Sequence, residues 1–283
     1  MLTDRVLAWE RDGERIDVEG RRIFVRHRAG DGPPLLLLHG FPSSSYDFRA
    51  LLDELPGRAA IAFDFLGFGL SDKPRDRDYS LVEQADLAEH LAPDEPVTIV
   101  AHDIGTSVAT ELMARDIEGR AGLRIGSIVL LNGSILQDVA SPTLGQRILA
   151  SRLGPAFARL MSERGFRVQF GRVFSGAHPL SEEEAADQWS LIAHEQGNLV
   201  LPKTIAYMDE RRRLADRWHG AVRDWQGELS LVWGMSDPVA TPAVLRGLQE
   251  LRPQAPTIEL ADLGHYPQIE DPRAVAEAIR RTA

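Results

Sequence analysis

From Pro33 onward the chain repeats one pattern: a short block of consecutive apolar residues, a turn signal, then a stretch with helical spacing. The blocks are PLLLLHG (34–40), AAIAFDF (59–65), VTIVAHD (97–103), GSIVLLN (126–132), LSLVWG (229–234) and PTIELAD (256–262). A strand with one wet face alternates apolar and polar side chains. A strand covered by helices on both faces does not, and parallel sheets are built from such strands. Helical spacing fills 45–56, 79–92, 105–117, 241–252 and 272–282. Strands alternating with helices predict an α/β fold with a mostly parallel central sheet flanked by helices. RIFVRHR (22–28) follows the turn-like DVEGRR, which predicts an antiparallel edge at the N-terminal side.

The alternation stops between 134 and 227. This stretch has helical spacing, an acidic SEEEAADQW and a charged DERRRLADRW. It predicts a helical insertion, 134–227, in a core made of 1–133 and 228–283. An insertion after a strand's carboxyl end sits over the crevice where open α/β sheets bind ligands, so it is expected to act as a cap.

With 43% apolar and 26% charged residues, the 283-residue chain has enough material for a large core. Its formal charge of −10 argues against binding nucleic acid or an anionic membrane through bulk electrostatics. The absence of cysteine excludes disulfides, thiolate zinc sites and a cysteine nucleophile. The longest aliphatic run is 35–38, and the first twenty residues show no basic region followed by an apolar stretch. A soluble, cytoplasmic protein is the expectation.

The sharpest turn falls in TIVAHDIGTSVATELMARD (98–116), where the strand-like run meets the next helix at Ala101-His102-Asp103-Ile104-Gly105. Small residues two before and two after Asp103 let strand and helix approach closely. By itself such an aspartate reads as a helix cap. In this context it resembles a nucleophile elbow with Asp in place of Ser. The sequence resembles the α/β-hydrolase superfamily, on the branch with an aspartate nucleophile that includes epoxide hydrolases and haloalkane dehalogenases. LLLHGFP, DFLGFGLSDKP, LVWGMSDP and LGHYPQIEDP carry the resemblance, in the family's order and across nearly the whole chain. Among its subgroups the chain looks closest to the mesoderm-specific-transcript-like hydrolases, through GFGLSDKPRDRDYSLVEQA, GNLV, DPV and HYPQIEDP.

The resemblance implies an α/β-hydrolase fold and a set of roles. Asp103 would be the nucleophile, His265 the base that activates water, and Asp237 the acid that orients His265. Some relatives carry the acid after the preceding core strand; here that place is Asn132, which has no charge. The backbone N–H groups of Phe41 and Ile104 would hold the negative oxygen formed during ester hydrolysis. His39, Gly40 and Pro42 are expected to shape their loop, and Asp64 and Asp72 to be loop hydrogen-bonders. No metal or organic cofactor is implied.

Dehalogenases of this kind resemble one another in a Trp just after the nucleophile, where this chain has Ile104. Epoxide hydrolases match better at His39-Gly40-Phe41-Pro42 and use cap tyrosines to protonate the epoxide oxygen. Only Tyr207 lies in the insertion, in TIAYMDERRR, and it is expected to take that role. His178, His194 or Gln169 are candidates for the missing second donor. Phe41, Ile104, Phe170, Trp189 and Tyr207 are expected to line the substrate site, with Phe166 and Phe174 as further apolar cap residues. The run Arg211-Arg212-Arg213 reads as a solvated helix face. The leading expectation is an epoxide hydrolase acting on a small apolar substrate with water, with no nucleic-acid or membrane partner. The alternatives are a haloalkane dehalogenase with atypical halide ligands, Trp189 among them, and a low-turnover ligand-binding homologue.

Overall fold

The computed structural model describes residues 1–282. Eight strands form one sheet: β1 (Glu14–Val18), β2 (Arg21–Arg28), β3 (Asp31–Leu38), β4 (Arg58–Phe63), β5 (Val97–His102), β6 (Ile125–Leu131), β7 (Glu228–Gly234) and β8 (Thr257–Leu260). Their spatial order is β1-β2-β4-β3-β5-β6-β7-β8. From β4 through β8 every neighbouring pair is parallel, and β1 and β2 add an antiparallel edge. The apolar blocks are buried as their lack of alternation requires: all of β5 is buried, and so are Leu35 to Leu38 of β3.

The helix Ile104–Ile117 starts at the end of the central strand β5 and is buried from Ile104 to Arg115. It packs under the helix Ala215–Asp224, whose Trp218 Nε1 donates to Glu111 Oε2 at 3.0 Å. The insertion between β6 and β7 is helical, from Leu144 to Asp224. One of its helices, Glu182–Ala193, is tied to the start of the chain. Arg5 Nε and Tyr46 Oη each donate to the buried Asp187 Oδ2 at 2.7 Å. The helix Asp4–Arg11, which the sequence pattern did not reveal, buries Val6 and Trp9, with Trp9 edge-on to Tyr46.

Candidate active site

The elbow is strained at its central residue. Asp103 has φ 44° and ψ −107°, an unusual conformation for a residue with a side chain. Gly105 permits it: a Cβ there would stand 2.2 Å from the Leu38 carbonyl oxygen, so only glycine lets the helix start against β3. Gly40 is held in the same way, since a Cβ would meet His102 Nδ1 at 2.7 Å.

The Asp103 carboxylate is 1% exposed. Phe41 N–H donates to Oδ2 at 3.0 Å. The Ile104 amide makes no hydrogen bond to this carboxylate, so the structure places one of the two expected amides on it. The other partner is Arg211, on the cap helix Tyr207–Arg213. Its Nη2 donates to the Asp103 carbonyl oxygen at 2.9 Å and reaches Oδ1 at 3.4 Å, and its Nε donates to Ser107 Oγ at 2.8 Å. Burial pushes the Asp103 carboxyl up, but the charges of Arg211 and His265, with the Phe41 N–H, hold it below its ordinary value. It is ionised at neutral pH.

His265 Nδ1 and Asp237 Oδ2 are 2.8 Å apart. Burial would lower the imidazole's pKa, but the charge of Asp237 and its hydrogen bond raise it above the ordinary value. Asp237 is well held. Val239 and Ala240 N–H donate to Oδ1 at 2.6 and 3.0 Å, and Asn132 Nδ2 donates to Oδ2 at 2.7 Å. The His265 loop is pinned by Glu270, whose Oε2 accepts from Gly264 N–H at 2.7 Å, and by Tyr266, whose hydroxyl donates to the Phe41 carbonyl at 2.8 Å. His102 Nε2 donates to the His265 carbonyl at 2.7 Å. Burial first, then the charge of His265, lowers His102 to about 3, so it stays neutral beside Asp103 and His265. His39 Nε2 accepts from Phe65 N–H at 2.9 Å and so braces its loop, while Asp64 and Asp72 bond loop amides and side chains.

A cavity of about 220 Å³ opens beside this cluster. His265, Phe41, Tyr266, Phe170, Phe166 and Gln146 are among the residues lining it. Ile104 and Trp189 do not. Ile104 is buried in the first turn of its helix, and Trp189 packs on Phe166 at 5.7 Å between ring centres. Asp103 and Tyr207 do not line it either. Tyr207 touches two residues that do: its ring centre is 5.6 Å from that of Phe41, and its hydroxyl accepts from Gln146 Nε2 at 3.3 Å. Burial and the nearby Asp103 charge raise the Tyr207 pKa, so the phenol keeps its proton. Of the candidate second donors, Gln169 lines the cavity; His178 and His194 do not.

The model of the α/β-hydrolase fold family matches residues 33–272. This chain belongs to that family. It is 52% identical to the putative hydrolase LipZ of Mycobacterium tuberculosis, over 98% of both chains. It is 35% identical to the mesoderm-specific transcript protein of Mus musculus, over 98% of this chain and 87% of that protein. Among solved structures, the haloalkane dehalogenase DatA from Agrobacterium tumefaciens C58 superposes with a TM-score of 0.79 at 20% identity, covering 96% of this chain and 97% of that one.

On this α/β-hydrolase frame the contacts of two residues with the candidate site were not legible in the sequence. Arg211 reads as solvated among its charged neighbours, yet it is 1% exposed. Its position four residues after Tyr207 puts both on one helix face, and its guanidinium lies 4.6 Å from the Tyr207 ring centre. Arg212 and Arg213 are the solvated members of that run. Asn132 cannot replace a charged acid, but its amide steadies the acid next door. Its place at the end of β6 was the available signal.

Proposed function

We propose that this hydrolase forms a covalent ester on Asp103 and that its substrate is a small apolar epoxide, released as a vicinal diol. The observation that carries the proposal is the Asp103 carboxylate, kept ionised at the elbow beside the His265–Asp237 pair. A carboxylate is a poor reagent toward an ester and a competent one toward saturated carbon.

In the first half of the reaction an Asp103 oxygen bonds to a ring carbon, the carbon–oxygen bond of the epoxide breaks, and the ring oxygen takes the Tyr207 proton. Tyr207 accepts from Gln146 and so keeps its own proton to give. In the second half water gives a proton to His265 Nε2 as its oxygen adds to the ester carbonyl carbon. Phe41 N–H holds the oxyanion and Asp237 stabilises the imidazolium; as the ester carbon–oxygen bond breaks, the leaving alkoxide takes the remaining proton of the added water, which restores the Asp103 carboxylate and releases the diol. The proton on His265 returns to the tyrosinate through solvent. Oδ1 faces Arg211, and neither Asp103 nor Tyr207 lines the cavity, so turnover requires the helix Tyr207–Arg213 to shift and admit the substrate carbon. The mostly apolar lining and modest volume favour a small apolar substrate. Neither Trp189 nor Tyr207 lines the cavity; the epoxide reading is favoured by the Tyr207 hydroxyl, which bonds the lining residue Gln146, whereas the Trp189 indole packs on Phe166.

The test is intact-mass analysis of His265→Gln with a panel of epoxides. A gain equal to the epoxide mass is expected, because the ester forms and is not hydrolysed. Adducts from bromoalkanes and none from epoxides would move the assignment to dehalogenation. Tight ligand binding indifferent to Asp103→Asn, without turnover, would make the protein a receptor.

A further inference from the structure

The cap stretch 144–172 departs from the rest of the chain in two ways at once. It carries six arginines (147, 152, 159, 164, 167 and 172) against one carboxylate, Glu163, a local charge of +5 in a chain of −10. All six are exposed, and among the described residues only Arg167 has a carboxylate partner, Glu182. The same stretch exposes Leu144 (61%), Leu153 (69%), Leu160 (83%) and Val168 (50%), four of the seven large apolar side chains left exposed among the described residues. Single exposed leucines are ordinary; four gathered in one short stretch and interleaved with unpaired cations are not.

The patch is continuous with the cavity. Leu160, Ser162 and Gly165 are exposed and also line it, so the cavity meets solvent where the apolar and cationic side chains gather. We propose that this cap surface docks on an anionic phospholipid bilayer, so that the cavity mouth faces the apolar phase and takes its substrate from there. Leucine and valine enter the acyl boundary, while arginines bury their stems and keep their heads among the lipid phosphates. The negative charge of the rest of the chain does not forbid this, because charges more than about 8 Å from the surface are largely screened at physiological ionic strength. A protein partner is the poorer match. Protein interfaces concentrate aromatic residues, and none is exposed in this stretch. No helix among the described residues is long and apolar enough to cross a membrane, so the contact is peripheral.

Flotation of the full chain with vesicles tests this without any reference to the chemistry at Asp103. One set is phosphatidylcholine alone; the other contains about one-third phosphatidylglycerol, enough to give a strongly negative surface. Binding to the second set and not the first is expected, weakening as sodium chloride is added. Arg152→Glu with Arg159→Glu lowers the partition coefficient roughly 25-fold or more, since each basic side chain contributes about fivefold. Leu153→Asp weakens binding as well. None of these three positions lines the cavity, and circular dichroism melts verify that the variants are folded. Equal partition onto both vesicle types, no binding to the anionic set, or a double reversal that binds like the parent would each overturn the proposal. So would light scattering that shows a dimer dissociated by Leu153→Asp without vesicle binding, which would assign the patch to a second copy of the chain.

Discussion

The two sides of the site are held in different ways. On the core side, most contacts to the candidate groups involve backbone: Phe41 N–H on Asp103, Val239 and Ala240 N–H on Asp237, and the His265 carbonyl on the His102 ring, with Asn132 on Asp237 as a side-chain addition. On the cap side, side chains fix side chains: Gln146 on Tyr207, and Arg211 on Ser107 and over the Tyr207 ring. A backbone contact is open to any residue type that lets the loop take its shape, so the loop motif itself signals it. A contact between two side chains depends on both residue types at once and leaves no motif at either position.

The strongest attack on this contrast is Asp103→Asn. Turnover should fall about 10⁴-fold with the fold intact, read by steady-state kinetics and circular dichroism. A variant that kept a tenth of the activity would remove the core side from the chemistry. Next comes Arg211→Met, which leaves a buried carboxylate without its cation. Urea unfolding should show a loss of about 3 kcal/mol, as for one partner removed from a buried pair. Adding Asp103→Asn to it should recover part of that loss, and strict additivity would show that the two residues are not coupled. The sign with pH follows from the depressed Asp103 pKa: its contribution to stability is present above the ordinary 3.8 and fades as pH falls through the folded value. The Arg211→Met variant should lack most of this acid-side fall.

Tyr207→Phe is the third test. A drop in kcat of about 100-fold, with unfolding free energy changed by less than about 1 kcal/mol, would place the cap phenol in the chemistry. An unchanged kcat would leave the cap side purely architectural. A smaller effect is expected in the pH–rate profile. His265 must be neutral to accept a proton, so the rate climbs as pH rises through its raised pKa. The stabilisation from the protonated His265–Asp237 pair is complete below the ordinary 6.5 and disappears over that same climb. Asp237→Asn should therefore move the climb to lower pH. The smallest effect belongs to Trp189→Phe, where KM should change by less than about twofold because the indole packs outside the cavity.

Much of the core was legible because each apolar block had only one way to be buried on both faces. The blocks from 34 to 262 became β3 to β8, and the helix after Asp103 begins where the Gly105 constraint requires. The N-terminal helix was missed because it is short and is secured by distant partners, Asp187 and Tyr46, that no local pattern announces. Arg211 was misread for the same reason: a buried guanidinium in a charged run differs from its solvated neighbours only in helical phase. Trp189 and Ile104, expected at the substrate site, do not line the cavity: Trp189 packs on Phe166 and Ile104 is buried in the first turn of its helix. Net charge was the bluntest signal, since a strongly acidic total conceals the cationic stretch from 144 to 172.

Tyr266 joins two jobs that enzymes of this kind could have kept apart. Its ring forms part of the cavity wall, and its hydroxyl holds the carbonyl of Phe41, the residue whose own N–H lies on Asp103. An occupant bulky enough to tilt that ring would also pull on Phe41 and so disturb the contact of its N–H with Asp103. The shape of the occupant and the geometry at Asp103 are thus mechanically linked, and altering one by mutation will alter the other.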